Sequence, residues 1–339
     1  MRKMLYYMSK MTKFCRKESR MVSVIIPVYN GEQYIRQCLD SLLSENTDSM
    51  EVIAINDGSR DGSLALLREY AEKYSCLRVI DKENEGAART RKRGIAEAKG
   101  EWIGFLDIDD RAESNMYSSL EKKAKESGAD IVFCNYVEES SKGGRVVRNC
   151  FDKEQSFPLT GKEALSYLHR RQAVFPFPWN KIYKAELLRS VEFPTGNFVG
   201  EDYNMLLQLF GKIQKIDFLD IAPYHYVLTE NSASRGGYGE ATVRAYEHFQ
   251  EDYAVVCDRY PDMKREVTHY LMTEYMAMII AMGRNKTYNK QMIREIKRFV
   301  RSGFWSFITA SYVPLAMKGS AVALSISYRL LVAMYRLLG

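Results

Sequence analysis

The sequence predicts an α/β fold, a mostly parallel doubly wound sheet, followed by a helical C-terminal region. Three observations predict it. Short apolar, β-branched runs alternate with segments of helical periodicity from residue 22 to residue 127, a pattern that produces right-handed βαβ crossovers and parallel strand pairing. The first four runs each end in Asn, Asp or Gly, at the strand ends where open sheets place their ligand crevice. After the Gly-rich stretch between Gly236 and Gly239 the character changes, and residues 240–339 read as helices alone.

Taken in order, VSVIIPVYN (22–30) reads as a buried strand ended by Pro and Asn, and GEQYIRQCLDSLLSE (31–45) carries Tyr34, Ile35, Cys38, Leu39 and Leu42 at helical spacing. MEVIAINDGS (50–59) is a second strand breaking into a turn, and SLALLREYAEKY (63–74) a second helix. LRVIDKEN (77–84) and GAARTRKRGIAEAKG (86–100) repeat the unit, and GEWIGFLDIDD (100–110) is the fourth strand. A helix over 114–127 leads to a strand over 129–139, and KGGRVVRNCF (142–151) reads as a hairpin or loop. Helices at 160–171 and 184–190 flank PFPWNKIYK (176–184), and a further helix opens at Glu201. The expected organisation is a basic N-terminal tail (1–20), an α/β domain (21–235) and a helical region (236–339).

A chain of 339 residues, 46% hydrophobic and 27% charged, has the composition of a globular protein rather than a disordered one. Its six cysteines form no CxxC pair, so they read as reduced thiols of a cytosolic protein and disfavour a structural zinc. The net charge of +6 is unevenly spread: residues 1–20 carry +6 and residues 284–339 carry +9, which leaves −9 for the middle. Basic ends on an acidic body point to an anionic surface, membrane lipid before nucleic acid. The opening twenty residues lack the continuous apolar core of a signal peptide, and Met21 directly precedes a strand and is an alternative start.

The fourth strand raises a chemical question, because it ends in Asp107, Asp109 and Asp110. Carboxylates so placed repel one another unless a cation or a hydrogen-bonding ligand sits among them. One Asp alone would read as a helix cap. Four strand ends, however, carry polar punctuation in a definite order: PVYN, NDGSRD, NEGAARTRKRG and DIDD. Together they resemble the family 2 inverting glycosyltransferases with the GT-A fold, of the bacterial cell-surface polysaccharide type, over roughly residues 21 to 235.

The resemblance implies a nucleotide-diphosphate-sugar donor, UDP-linked in particular. Pro27, Tyr29 and Asn30 would line the base, and Asp57 would accept its imide N–H, with Asn56 standing where the family more often has Asp. Asn84, Gly86 and Arg91 match the segment that meets the diphosphate, although Thr90 and Lys92 depart from the usual Ala and Asn around it. Asp107 would hold the ribose, with Ile108 between it and Asp109, and a Mg²⁺ or Mn²⁺ ion would sit on Asp109, Asp107 and Asp110. GEDYNMLLQLF (200–210) resembles the motif that supplies the base, so Asp202 is expected to take the acceptor's proton with Glu201 in support. Read without the resemblance, two acidic residues merely favour a helix N-terminus. Trp179, Asn180 and Lys181 line the acceptor side or belong to the core, and His225 reads as a hydrogen-bonded strand histidine rather than a metal ligand.

In the helical region, Met292, Ile293, Ile296, Phe299 and Val300 share one face of residues 288–302. Residues 319–338 have the length of a span but carry Ser325, Ser327 and Arg329 near the middle, so interfacial helices are expected rather than spanning ones. The alternative is a helical subdomain packed on the core or on a second copy, a homo-oligomer through the C-terminal helices. The expected partners are a nucleotide-sugar donor, a glycan or lipid-linked acceptor and the inner membrane surface, with no nucleic acid. The expected location is the cytoplasm, peripherally on the inner face of the plasma membrane. A nucleotide-sugar pyrophosphorylase would need a basic Gly-rich loop after strand one where this chain has PVYNGEQY, and a non-catalytic scaffold would have no need of Asp107, Asp109 and Asp202 together.

Overall fold

The computed structural model of the chain describes residues 22–44, 50–140, 143–151, 156–172, 175–193, 200–228 and 239–338, so the expected basic tail lies outside them. The alternation read from the sequence appears as β1 (Val22–Val28), α1 (Glu32–Leu43), β2 (Met50–Asp57), α2 (Ser63–Lys73), β3 (Leu77–Lys82), α3 (Ala87–Glu97) and β4 (Trp102–Phe105). There follow β5 (Arg111–Ala112), α4 (Met116–Ser127), β6 (Ile131–Ser140), β7 (Arg145–Arg148), α5 (Gly161–Arg170), β8 (Lys181–Lys184), α6 (Ala185–Arg189), α7 (Glu201–Phe210) and β9 (Ile216–Leu228). The helical region comprises α8 (Glu240–Arg259), α9 (Lys264–Asn285), α10 (Lys290–Thr309), α11 (Leu315–Ile326) and α12 (Tyr328–Leu338).

Among the described residues the strands form one mixed sheet in the order β3-β2-β1-β4-β8-β6-β9-β5, with β7 paired to β6. The half β3-β2-β1-β4 is wholly parallel. Every residue of β2 is buried, as a parallel strand covered on both faces requires. In the other half β8 runs antiparallel to both β4 and β6, β7 antiparallel to β6, and β5 antiparallel to β9. Pro27 is tolerated in a central strand for a local reason. The Ile25 carbonyl turns towards β4 and accepts from Leu106 N–H, so residue 27 turns the same way. The β4 ladder ends at the Ile25–Phe105 pair, and the missing N–H of Pro27 therefore forfeits no strand bond.

The chain divides into two compact units that interleave in sequence. Of the described residues, those within 1–148, 178–193 and 213–227 form a sheet unit, and those within 149–177, 194–212 and 228–339 form a helical unit. This differs from the single cut expected near residue 236. Helices α5 and α7 precede that point, yet they bury their apolar faces with the C-terminal helices. Tyr203 of α7 stacks on Tyr270 of α9 with ring centroids 4.8 Å apart, and Arg170 of α5 pairs with Glu266 of α9.

Helix α9 is the axis of the helical unit. Its buried residues, among them Val267, Leu271, Met272, Tyr275, Met278 and Met282, surround the helix rather than forming one stripe, the signature of a helix enclosed by others. Helix α10 buries Met292, Ile293, Ile296, Val300, Gly303 and Phe307, and Phe299 meets Tyr253 and Tyr275 edge-on. The apolar stripe read from the sequence over residues 288–302 is thus the inner face of a packed helix. Among the described residues no helix is long and apolar enough to cross a membrane.

Candidate active site

Three strand-end loops of the sheet unit are laced together by reciprocal hydrogen bonds. After β1, Asn30 N–H donates to Ser59 Oγ at 3.0 Å while Asn30 Oδ1 accepts from Arg60 N–H at 2.9 Å. Glu32 N–H donates to Asp61 Oδ2 at 3.1 Å, and Gly62 N–H donates back to Glu32 Oε2 at 2.8 Å. Asn30 itself adopts φ +47°, a left-handed conformation that Asn tolerates better than most residues. This turn leaves Tyr29 half exposed at the mouth of the sheet.

Asp57 closes β2 and organises the loop after β3. Its Oδ1 accepts from Glu85 N–H and its Oδ2 from Gly86 N–H, both at 2.9 Å, and Lys82 Nζ also donates to Oδ1. Burial alone would raise the carboxyl's pKa, but Lys82 and the two amides outweigh it and hold the group below its usual value. A carboxylate accepts about four bonds, so three protein donors leave one position, on Oδ2. Asn84 Nδ2 completes the junction by donating to the Asp57 carbonyl at 2.9 Å. Gly58 is required there, since it has φ +67° and a Cβ on it would stand 2.8 Å from Asn84 N.

The loop after β4 is built differently. Asp107 Oδ1 receives Arg91 Nη2 of α3 at 3.2 Å, and Arg91 is buried. Ile108 rests on Gly31, where a Cβ would come within 3.2 Å of it. Asp109 has no such donor: among the described residues no other side chain or amide pairs with it. Burial and the neighbouring charge of Asp107 raise its pKa. Asp110 turns the other way. It accepts from Tyr224 Oη at 2.6 Å and from Val227 N–H at 2.8 Å, both on β9, and burial with the two other aspartates pushes it well up. Asp110 is thus a clamp between loop and strand, and each of its oxygens keeps an acceptor position beyond the one bond it receives.

The residues around this loop sort clearly. Trp179 is buried, stacks on Tyr224 at 4.2 Å and on Tyr226 at 5.7 Å, and so backs the Asp110 clamp. Asn180 and Lys181 are fully buried beside it. His225 directs Nδ1 to Glu139 Oε1 at 2.9 Å and Nε2 to Glu113 Oε1 at 3.5 Å, which makes it a hydrogen-bonded strand histidine. It lines, with Ser41, Arg111 and Glu113, an open hollow of about 280 Å³ directly after the acidic turn.

Glu201 and Asp202 belong to the helical unit, half-buried in the first turn of α7. The turn depends on Gly200, with φ +106° and the Phe249 ring 3.0 Å from where a Cβ would stand. One turn on, Asn204 Nδ2 donates to Asp252 Oδ1 of α8 at 2.7 Å and Asn204 Oδ1 accepts from Gln208 Nε2 at 2.9 Å. The sheet unit therefore gathers Pro27, Tyr29, Asn30, Asp57, Asn84, Gly86, Arg91, Asp107, Ile108 and Asp109, while Glu201 and Asp202 stand on the other unit. Lys82, Tyr224 and Asp252 escaped the sequence reading. Lys82 is the register partner of Asp57, a relation that exists only once the strands are paired.

The profile of glycosyl transferase family 2 matches residues 23–192, half of the chain. The chain belongs to glycosyl transferase family 2. Among its relatives is the uncharacterized glycosyltransferase EpsJ of Bacillus subtilis (strain 168), 28% identical over 83% of this chain and 82% of that protein. The poly(ribitol-phosphate) beta-glucosyltransferase of Bacillus spizizenii is 31% identical over 61% of the chain, which spans only 32% of that longer protein. Residues 1–349 of S. aureus TarS, solved alone and with UDP-GlcNAc or UDP, share 21% identity and a TM-score of 0.63. The alone structure aligns over 94% of this chain and 92% of TarS 1–349, a likeness that shows a common fold, the GT-A architecture with its C-terminal helices.

Proposed function

We propose that this family 2 member is an inverting, metal-dependent glycosyltransferase that moves a sugar from a UDP-sugar to a hydroxyl of a cell-surface glycan or its lipid-linked precursor. The observation that carries the reading is the contrast at one sheet edge between Asp57, with one acceptor position left, and Asp109, which the described protein leaves without a counter-charge. The first suits a single imide N–H of uracil, with Tyr29 exposed to lie on the ring. The second suits a hard cation.

Asp107 and Asp109 are the residues that would hold Mg²⁺ or Mn²⁺. Among the described residues no group of three or more His, Cys, Asp or Glu is arranged to hold a metal alone. That fits an ion bound through one or two carboxylates and completed by phosphate and water. When bound, such an ion supplies charge neutralisation for a departing diphosphate. Arg91 orients Asp107 and adds a buried positive charge at the same place. Asp202 takes the proton of the acceptor hydroxyl as its oxygen bonds to the anomeric carbon, while the bond from that carbon to the diphosphate oxygen breaks on the opposite face. Glu201 supports it in the same helical turn. TarS complexes with UDP-GlcNAc support the donor class, and the poly(ribitol-phosphate) relative supports a surface polymer as acceptor. The basic C-terminal region supports action at the inner membrane face.

A screen of UDP-, dTDP- and GDP-sugars by thermal unfolding, with and without Mn²⁺, tests the reading. A ligand at 100 times its dissociation constant stabilises by about 2.7 kcal/mol, several degrees in a protein of this size. UDP-sugars should give that shift only with metal. Stabilisation by GDP-sugars alone, or a shift indifferent to metal, overturns the donor or metal assignment.

A further inference from the structure

The outer face of α10 carries a feature that the buried stripe had concealed. Arg294, Arg298, Arg301 and Trp305 follow one another at intervals of four, three and four residues, which places them along one line of the helix. All four are exposed, and Trp305 is 75% exposed. The opposite line, Met292, Ile296, Val300, Gly303 and Phe307, is buried, so the orientation of the helix is settled by its own packing. Among the described residues none of the three guanidinium groups has a carboxylate partner. The only nearby acid in the segment, Glu295, is engaged by Tyr246 Oη at 3.0 Å and Gln291 Nε2 at 3.0 Å. The segment 284–339 carries ten basic residues against that one acid.

We infer that this stripe is a docking surface for an anionic lipid bilayer. The arginines meet headgroup phosphates, and Trp305, an amphipathic ring at the end of the line, inserts at the acyl boundary. Charge decides the kind of partner: a second copy of this surface would repel the first, and a neutral protein face would leave three guanidinium groups unmatched. The inference deepens the proposed function, since it rests on the reading of a surface-glycan or lipid-linked acceptor and names the residues that would bring the enzyme to it.

The experiment is co-sedimentation of the full chain with vesicles of phosphatidylcholine alone or mixed with anionic phosphatidylglycerol, alongside UDP binding by calorimetry. The wild-type chain should partition onto the anionic vesicles and be released by salt. Replacing Arg294, Arg298 and Arg301 together by Gln should lower partitioning about 100-fold, at roughly fivefold for each basic residue. The matching triple Lys variant should recover most of it, and Trp305→Ser should lower partitioning onto the anionic vesicles while leaving its salt dependence unchanged. UDP affinity should stay at the wild-type value in every variant. Equal partitioning of wild type and the Gln variant overturns the inference. So does tight binding to neutral vesicles, a stripe-dependent dimer, or stripe-dependent binding of RNA in preference to the vesicles. Loss of UDP binding by the wild-type chain would instead count against the proposed function and leave the vesicle result to be judged separately.

Discussion

Asp57 closes β2 and Asp109 follows β4, the strands that flank β1 on either side, yet the protein treats the two in opposite ways. Asp57 receives Lys82 and two backbone amides and is held below its usual pKa. Asp109 receives nothing from other described residues and is pushed up by burial and Asp107. A carboxylate furnished with donors by its own chain is already stable as an anion and can offer one oriented lone pair to a ligand. A carboxylate denied them is costly until a cation arrives. In the proposed function the difference separates a position that would read a base from one that would hold a cation, on the same edge of one sheet.

The comparison predicts that neither strand end moves the proton, so the largest rate loss belongs elsewhere. Asp202→Asn should lower transfer by roughly 10²- to 10⁴-fold, the range of a positioned general base, with UDP binding unchanged in calorimetry. Lost UDP affinity at unchanged turnover would reassign it to the donor site. Next in size, Asp109→Ala should bring UDP affinity in the presence of Mn²⁺ down to its metal-free value. Metal-enhanced affinity close to wild type would break the contrast at its cation end.

The helical unit sharpens the same point with a third carboxylate. Burial raises Asp252 to about 6, although the Asn204 amide opposes the shift. Because the folded value lies above the unfolded one near 3.9, the folded state prefers the protonated form. The ionised group therefore weakens the fold above pH 6, and the penalty is relieved as pH falls through 6 towards 4. Asp252→Asn, which keeps an acceptor for Asn204, should raise stability at pH 8 by up to about 3 kcal/mol. The gain should vanish near pH 4 in urea titrations. A smaller effect of opposite sign is expected at Asp57. Asp57→Asn should cost about 1 to 2 kcal/mol at pH 7, as charge-assisted bonds to Lys82, Glu85 and Gly86 weaken. Since the folded pKa of Asp57 is depressed, that difference is present above the unfolded value and disappears as pH falls through the folded one. A constant difference down to acid pH would show that packing, not charge, holds the loop.

Much of this was legible before any coordinates. The alternation of β-branched runs with helical periodicity determined the parallel half of the sheet, since βαβ connections leave little choice of pairing or hand. The strand-end residues Asn30, Asp57, Asn84, Gly86, Asp107 and Asp109, with Arg91 of α3, were marked by their likeness to the family's motifs, and successive parallel strands bring such ends to one edge. What only the tertiary structure decided were relations between distant segments. β8 is four residues long, too short for periodicity to announce, and exists because β4 and β6 pair with it. Asp110 reads like its neighbours in DIDD and becomes a clamp only when β9 brings Tyr224 and Val227 to it. The apolar stripe of α10 has one amphipathic pattern whether its partner is lipid or protein, and only the presence of α9 assigned it to the core and left Arg294, Arg298, Arg301 and Trp305 facing outward. Local pattern determines which side of an element is apolar, and the identity of what covers that side is a property of the whole chain.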